Sequence, residues 1–196
     1  MGTAFTEKEN EIIKSKLKSC AMECMARYGI KKTSVDQLVE EVGISKGAFY
    51  KFYSSKELLF FEVMIDMHQL WYDKALEVLI NRTDLAKKER SKLALMQVYE
   101  IMKKTAMIEI MENEMDYLMR KIPEEVLQEH CQDDETNIIN LFQASGFKFS
   151  VSSNVLVASI NILFMSLEHR KSIGPYFDEA FEVLIAALCE KVVIEE

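Results

Sequence analysis

The first segment of the chain has the apolar period of an α-helix. Apolar side chains recur three or four residues apart over most of residues 13–28, and charged side chains fill many of the positions between them. Thr6 and Glu9 have the spacing of a capping box, and Gly29 lies where a helix commonly ends. The pattern predicts an amphipathic helix between Thr6 and Gly29.

Two short helices are predicted next, on either side of a glycine. Ser34 and Gln37 form a second capping box, and Gly43 interrupts the apolar pattern after about two turns. Ser45 can cap a third helix over residues 46–53. Two short helices that are joined by a tight glycine turn and follow a longer helix are typical of a helix-turn-helix. Three ordinary helices of an all-α core have the same spacing.

The remaining chain also keeps a helical period. The further predicted helices span about residues 54–81, 85–105, 107–120, 123–146, 150–171 and 175–193. Six glycines and two prolines are too few for the frequent turns of a β-sandwich or a β-barrel. We therefore predict an all-α fold of about nine helices.

Two helices near the end of the chain have more apolar surface than one chain of this length is expected to bury. Residues 155–167 are apolar around the whole helix, and residues 177–189 carry a wide apolar stripe. We expect a homodimer in which these helices form a four-helix bundle across a two-fold axis, with an intrachain core as the alternative. The expected interface residues are Val155, Ser159, Leu163, Leu167, Phe177, Phe181, Leu184 and Leu188.

Charge is distributed unevenly along the chain. Residues 1–60 contain ten lysines and arginines and eight aspartates and glutamates, a net charge of +2, whereas the whole chain has a net charge of −8. The remainder therefore carries −10. A mildly basic segment joined to an acidic one is compatible with nucleic-acid contact, but the excess is too small to establish it.

The sequence offers little for catalysis or metal binding. It has no glycine-rich nucleotide loop and no nucleophile elbow, so we expect no catalytic residue and no cofactor. An α-helical enzyme is a third, less favoured class, with His68 as the histidine placed to face a pocket. Cys20 and Cys24 are interpreted as core residues rather than metal ligands. The polar group around His130 and Cys131 is interpreted as a solvated helix face.

No segment is expected to enter a membrane. The longest nearly apolar run, residues 155–167, is shorter than the roughly 18 residues that a helical span requires. The first residues include several glutamates and contain no signal-peptide core. We therefore expect a cytoplasmic protein with reduced cysteines.

A further set of residues has a distinctive order between positions 28 and 59. In chain order they are Gly29, Thr33, Ser34, Val35, Leu38, Gly43, Ser45, Lys46, Gly47, Tyr50, Tyr53, Lys56, Glu57 and Leu58. This order resembles the N-terminal DNA-binding domain of TetR-family transcriptional regulators. The resemblance implies a helix-turn-helix DNA-binding domain over residues 1–54 and a ligand-binding and dimerisation domain over residues 55–196. The sequence departs from the family at Phe52, which replaces a frequent His or Tyr and cannot hydrogen-bond a phosphate.

The resemblance also implies roles for single residues. The third helix is expected to enter the major groove of a palindromic double-stranded DNA operator, with Lys46 contacting a base edge or a phosphate. Gly47 would allow close approach to DNA, or it would serve internal packing. The expected DNA-binding residues are Ser34, Ser45, Lys46, Gly47, Tyr50, Lys51, Tyr53 and Lys56.

Methionines are concentrated in the middle of the chain. Eight of the twelve lie between Met64 and Met119, and four of them repeat every four residues from Met107. Such stripes are core more often than pocket, yet flexible thioethers also line adaptable binding sites. We expect a hydrophobic small-molecule effector here. The expected contact residues are Met67, Trp71, Tyr72, Tyr99, Met102, Met107, Met111 and Met115.

Together these features indicate a DNA-binding transcriptional regulator, and more specifically a repressor whose operator binding responds to a hydrophobic effector. The alternative from another class is an all-α interaction protein that has lost DNA binding. The weak basicity of the N-terminal segment and the presence of Phe52 favour this alternative.

Overall fold

The computed structural model describes residues 6–195 of the chain, except for the side chain of Glu135. The helices of this range are α1 (Glu7–Tyr28), α2 (Val35–Val42), α3 (Lys46–Phe52), α4 (Lys56–Asn81), α5 (Lys87–Lys104), α6 (Met107–Asn113), α7 (Met115–Met119), α8 (Glu124–Ala144), α9 (Ser153–Met165), α10 (Arg170–Ile173) and α11 (Phe177–Val192). A 3₁₀ turn covers Ser166–His169, and the two-residue strands β1 (Lys148–Phe149) and β2 (Val193–Ile194) pair antiparallel. The all-α fold class is confirmed, and the small β1–β2 pair was not predicted.

The chain divides into two compact units. The N-terminal unit contains the residues up to Asp66 together with Glu114–Glu124, and the C-terminal unit contains Met67–Asn113 and the residues from Glu125 onward. Helix α4 therefore begins in one unit and ends in the other. The functional boundary at residue 54 stays a prediction, and the first five residues of that predicted domain lie outside the described range. Among the described helices, none is both long enough and apolar enough to cross a membrane.

Helices α1 to α3 share a small apolar core in the N-terminal unit. Leu17 of α1, Leu38 of α2 and Phe49 of α3 are each fully buried there. Burial of a side chain of this size stabilises a fold by roughly 1.5–3 kcal/mol. Helix α2 packs against α1, and α3 packs against α2. Helices of seven or eight residues are not stable alone, so this packing maintains α2 and α3.

The N-terminal ends of α1 and α2 are capped as the sequence predicted. The backbone N–H of Glu9 donates to Thr6 Oγ1 over 3.3 Å. In α2 the backbone N–H of Gln37 donates to Ser34 Oγ over 3.2 Å. Gly43 ends α2 with φ 75° and ψ 35°, a left-handed conformation in which residues with a Cβ are strained. The cap and the glycine together produce the tight turn that leads into α3.

The single helix predicted over residues 107–120 is wrong, because the helix is interrupted at Glu114. The backbone of Glu114 leaves the helical region, with φ −131°, and its carboxylate accepts a 2.8 Å hydrogen bond from the backbone N–H of Lys31. Gly29 has φ 80° and lies so close to this carboxylate that a Cβ would collide with it. The contact of the Glu114 carboxylate with the backbone of Lys31 therefore accompanies a break in the helix that the helical period of the sequence does not predict. The expected methionine repeat is therefore split between α6 and α7.

Helix α11 packs against both α5 and α9 in the C-terminal unit. Tyr99 of α5 is fully buried, with its ring centroid 4.6 Å from that of Phe181, and its hydroxyl donates to Asp178 over 2.8 Å. The helix predicted over residues 150–171 is shorter in the structure. It ends at Met165, and the 3₁₀ turn and α10 continue the chain to α11.

Candidate functional site

One side of α3 is exposed, and the opposite side holds the helix to the core. Ala48 and Phe49 are buried, whereas Tyr50 keeps 51% of its surface exposed. Helical geometry places the exposed positions of α3 on a single side, next to its capping residue. We name this surface the α3 face, and it consists of Ser45, Lys46, Gly47, Tyr50 and Lys51.

Gly47 lies within the α3 face and is not required by internal packing. Apart from its chain neighbours and the backbone of its own helix, the nearest atom that a Cβ would meet is Ser45 Oγ, at 3.9 Å. A glycine inside a helix is less favourable than alanine by about 1 kcal/mol. The open space removes packing as the reason for glycine here.

The two serines of the predicted interface act as helix caps. Ser34 Oγ accepts from the backbone of Gln37 and also donates to Gln37 Oε1 over 3.1 Å, so its hydroxyl is used twice within the capping box. Ser45 Oγ accepts from the backbone N–H of Ala48 over 3.1 Å. The hydroxyl proton of Ser45 takes no part in this cap, and Ser45 can therefore still donate to an external acceptor.

An ion pair holds the ammonium group of Lys46. Its Nζ lies 2.9 Å from Asp36 Oδ1, and both side chains are exposed. The hydrogen bond to Asp36 raises the pKa of Lys46, so the lysine stays charged. Exposed pairs of this kind contribute little to stability. The ammonium group can therefore exchange Asp36 for another anion at low energetic cost.

Tyr53 is corrected from a DNA-contacting residue to a core residue. It is 5% exposed, and its ring centroid lies 6.0 Å from that of Phe49. Burial raises the pKa of its hydroxyl. The spacing of four residues from Phe49 places both rings on the buried side of α3.

Lys56 is likewise corrected, from a phosphate contact to a structural residue. Its ammonium group points back to the loop between α1 and α2, where it donates hydrogen bonds of 2.8, 3.1 and 2.5 Å. The acceptors are the backbone carbonyls of Ile30, Lys31 and Thr33. An ammonium group has three N–H donors, and all three are used here.

The residues predicted to bind an effector lie mostly in the C-terminal unit, except for Met115 in α7. The buried members are Met67, Trp71, Tyr99, Met102 and Met107, and the half-buried ones are Tyr72, Met111 and Met115. A cavity of about 150 Å³ in the C-terminal unit is lined by other residues, among them Phe142, Phe149 and Leu156. The sequence prediction missed this cavity, although the phenylalanines on both sides of Gly146 were an available signal.

Half of the residues predicted at a dimer interface belong to the core of the chain itself. The buried ones are Leu163, Leu167, Phe177 and Phe181. Ser159 and Leu188 are half-buried, and Val155 and Leu184 are exposed. The first four are therefore corrected to core residues, because an all-round apolar helix does not reveal which side faces the rest of its own chain.

An exposed apolar surface nevertheless exists on α9 and α11. Spacings of seven and three residues place Val155, Ile162 and Met165 on one side of α9. Ile162 is the most exposed of them, at 70%. We name this surface the α9–α11 face, and its large apolar residues are Val155, Ile162, Met165, Val183 and Leu184.

Helices α4 and α8 bring two histidines and an aspartate together. Asp134 Oδ2 lies 3.1 Å from His68 Nδ1 and 3.2 Å from His130 Nε2. The hydroxyl of Tyr72 donates to Asp134 Oδ1 over 3.0 Å. The sequence assigned His130 to a solvated face, and this is corrected because only 14% of its side chain is exposed. The spacing of four residues between His130 and Asp134 was a local signal, but nothing local indicated His68, which lies 66 residues before Asp134.

The charges of this cluster depend on burial and on each other. Burial lowers the pKa of His130, although the negative charge of Asp134 opposes the shift. Burial alone would raise the pKa of Asp134, but hydrogen bonds from His68 and Tyr72 and the nearby His130 hold it below its usual value. Asp134 is therefore an anion at neutral pH.

The helix-turn-helix geometry of the N-terminal unit corresponds to a known family. Residues 19–63 match the family model for "Bacterial regulatory proteins, tetR family". Over these residues the chain is similar to the DNA-binding domain of TetR-family regulators. The HTH-type transcriptional regulator YuxN of Bacillus subtilis (strain 168) is 39% identical over 75 residues, which are 38% of this chain. The match covers only 23% of the length of YuxN.

Solved structures share the fold over nearly the whole chain. A TetR-family transcriptional regulator from Vibrio parahaemolyticus is 19% identical, with a TM-score of 0.57, over 93% of this chain and 99% of its own. RolR, crystallised in complex with resorcinol, is 15% identical, with a TM-score of 0.65, over 93% of this chain and 90% of its own. YuxN and the Vibrio parahaemolyticus protein are described as transcriptional regulators, not as enzymes. RolR is described by its ligand alone.

Proposed function

We propose that this chain is a TetR-family transcriptional regulator that acts as a repressor and binds a palindromic DNA operator with its α3 face. The observation that carries the proposal is the exposure of Lys46, Tyr50 and Lys51 around a glycine that internal packing does not need. Lysine ammonium groups bind phosphate oxygens or the major-groove edge of guanine, and a tyrosine hydroxyl binds phosphate. The location of such a regulator is the cytoplasm.

A homodimer formed through the α9–α11 face would supply a second α3 helix. Ile162, Met165 and Val183 keep 70%, 61% and 61% of their surfaces exposed. Contiguous exposed apolar side chains of this size are typical of interaction surfaces. Two helices from each subunit make a four-helix bundle, and the two α3 helices of the dimer would then contact half-sites about 34–36 Å apart.

A hydrophobic small molecule is the effector that we propose for this regulator. The cavity is lined mainly by apolar residues such as Phe142 and Leu156, with Gln143 and Ser153 as polar members. A space of about 150 Å³ can hold a single aromatic ring. The complex of RolR with resorcinol supports a ligand of this class in the same fold. The predicted contact residues around Trp71 are the second candidate location.

In vitro selection from a randomised duplex library tests the DNA-binding proposal and does not require the operator sequence. The wild-type protein should enrich an inverted repeat whose half-sites are one helical turn apart. The protein carrying both Lys46→Ala and Lys51→Ala is the matched control and should enrich nothing. If the folded wild-type protein enriches no sequence, the all-α interaction protein becomes the better interpretation.

Gly47→Ala is expected to increase stability while it weakens operator binding. Alanine favours the helix by about 0.5–1 kcal/mol. Its methyl group would occupy the space through which DNA approaches, so operator affinity should fall by roughly tenfold or more. Urea unfolding and fluorescence anisotropy measure the two effects. Asn140→Ala, at an exposed position of α8, should leave the operator affinity unchanged. Unchanged affinity in Gly47→Ala would show that DNA does not approach this residue.

A further inference from the structure

The side-chain cluster between α4 and α8 takes no part in the α3 face or the α9–α11 face. Two imidazoles and one carboxylate are gathered here at positions that are at least three-quarters buried, with 23%, 14% and 24% of the side chains of His68, His130 and Asp134 exposed. Titratable groups are costly to bury, and a cluster of them outside both of these faces indicates a specific role.

We propose that His68, His130 and Asp134 form a binding site for a divalent transition-metal ion such as Zn²⁺, Co²⁺ or Ni²⁺. His68 would bind through Nδ1, His130 through Nε2 and Asp134 through one carboxylate oxygen. The proposal does not depend on DNA binding, because the site lies within the C-terminal unit and uses none of the residues of the α3 face.

The distances are close to those of a coordination sphere. The three ligand atoms lie within 4.8 Å of one another. With bonds of about 2.0–2.1 Å, neighbouring ligands in a tetrahedral zinc site are about 3.3 Å apart. Asp134 Oδ2 lies 3.1 Å from His68 Nδ1 and 3.2 Å from His130 Nε2, which is already close to this distance between ligands. Only the two histidine nitrogens need to approach each other further.

The type of ligand selects the class of metal. Two imidazole nitrogens and one carboxylate suit zinc and its neighbours in the first transition row, whereas calcium and magnesium prefer oxygen ligands alone. On binding, each imidazole presents a lone pair at the coordinating nitrogen and carries its proton on the other ring nitrogen. Three protein ligands leave at least one coordination position for water or another small ligand.

Neighbouring residues hold these ligands in place. Tyr72 donates a 3.0 Å hydrogen bond to Asp134 Oδ1, which leaves Oδ2 directed at the histidines. The ring of Trp71 lies 4.7 Å from that of His68, and the two histidine rings are stacked 5.0 Å apart. Partners of this kind fix ligand orientation, and their loss commonly weakens metal binding by about 10–100-fold.

The chain provides its own optical probe of this site. Trp71 is its single tryptophan, and it contacts His68. Paramagnetic Co²⁺ or Ni²⁺ bound beside it should quench its fluorescence. Tag-free protein, treated with a chelator and then freed of it, should therefore be titrated with each metal alone, with calorimetry to count the ions bound.

One ion per chain, with quenching of Trp71, is the expected result. Asp134→Asn and His130→Gln should each weaken binding by roughly a hundredfold or more, and Tyr72→Phe by about tenfold. His169→Gln is the matched control, because that histidine is exposed and outside the cluster. Circular dichroism of each variant confirms that the fold is kept.

Cysteine thiols are the alternative metal ligands in this chain, and serine substitutions test whether they bind the metal instead of the histidines. Cys131 is exposed beside His130, and Cys20 and Cys24 lie one turn apart in α1. Cys131→Ser and the double variant Cys20→Ser/Cys24→Ser should bind metal as the wild type does. The proposal is overturned if wild-type protein binds no metal at micromolar concentration, if Asp134→Asn and His130→Gln bind it normally, or if a thiol variant abolishes binding.

Discussion

Leu184→Glu should convert a homodimer into monomers. Leu184 is 53% exposed and lies next to Val183 on the α9–α11 face, so a dimer formed through this face would bury both copies of the new carboxylate. An uncompensated charge in an interface is destabilising by roughly 3–5 kcal/mol, which is more than a hundredfold in the dimer dissociation constant. Sedimentation velocity at micromolar concentration measures the change.

Two further substitutions make this result specific. Ile80→Glu places the same charge at a 48% exposed apolar position of α4, outside the α9–α11 face, and should leave the dimer intact. Leu163→Glu buries the charge in the core of the chain and should unfold the C-terminal unit instead. A wild-type protein that sediments as a monomer, or a Leu184→Glu protein that stays dimeric, would contradict the proposed interface.

Lys56→Met should lower the free energy of unfolding by about 2–4 kcal/mol, because it removes three hydrogen bonds to backbone carbonyls while keeping the aliphatic stem. Ile30 and Thr33, whose carbonyls are two of the acceptors, are almost completely buried, so water cannot easily replace the ammonium group. Urea unfolding followed by circular dichroism measures the loss.

Lys51→Met is the matched control for this prediction. It makes the same chemical change at an exposed position of the α3 face, where stability should change by no more than about 0.5 kcal/mol. At a temperature where both proteins are folded, Lys51→Met should weaken operator binding more than Lys56→Met does. Equal stability of the two variants would mean that the Lys56 hydrogen bonds do not support the fold.

Local signals predicted the helix-turn-helix well. The capping boxes at Thr6 and Ser34 and the left-handed turn at Gly43 each depend on a few neighbouring residues, so their spacing is sufficient to locate the ends of α1 and α2. The exposed positions of α3 follow from the same helical period. Their DNA contacts, by contrast, are inferred from the family resemblance and from the open space around Gly47.

Long-range contacts account for what the sequence did not predict. The role of Lys56 depends on carbonyls 23 to 26 residues away, and the break at Glu114 depends on a backbone N–H 83 residues away. The all-round apolar character of α9 did not distinguish the core residue Leu163 from the exposed Ile162. Periodicity identifies an apolar side of a helix, but only the packed chain shows what covers it.

The salt dependence of operator binding tests the role of the α3 face most directly. Each lysine–phosphate contact contributes about one unit to the slope of log affinity against log salt. Fluorescence anisotropy over a salt series should therefore give Lys51→Ala a slope smaller by about one unit than that of the wild type. Lys104→Ala, at an exposed position of α5, should retain the wild-type slope. Identical slopes and affinities for all three proteins would contradict DNA binding through α3.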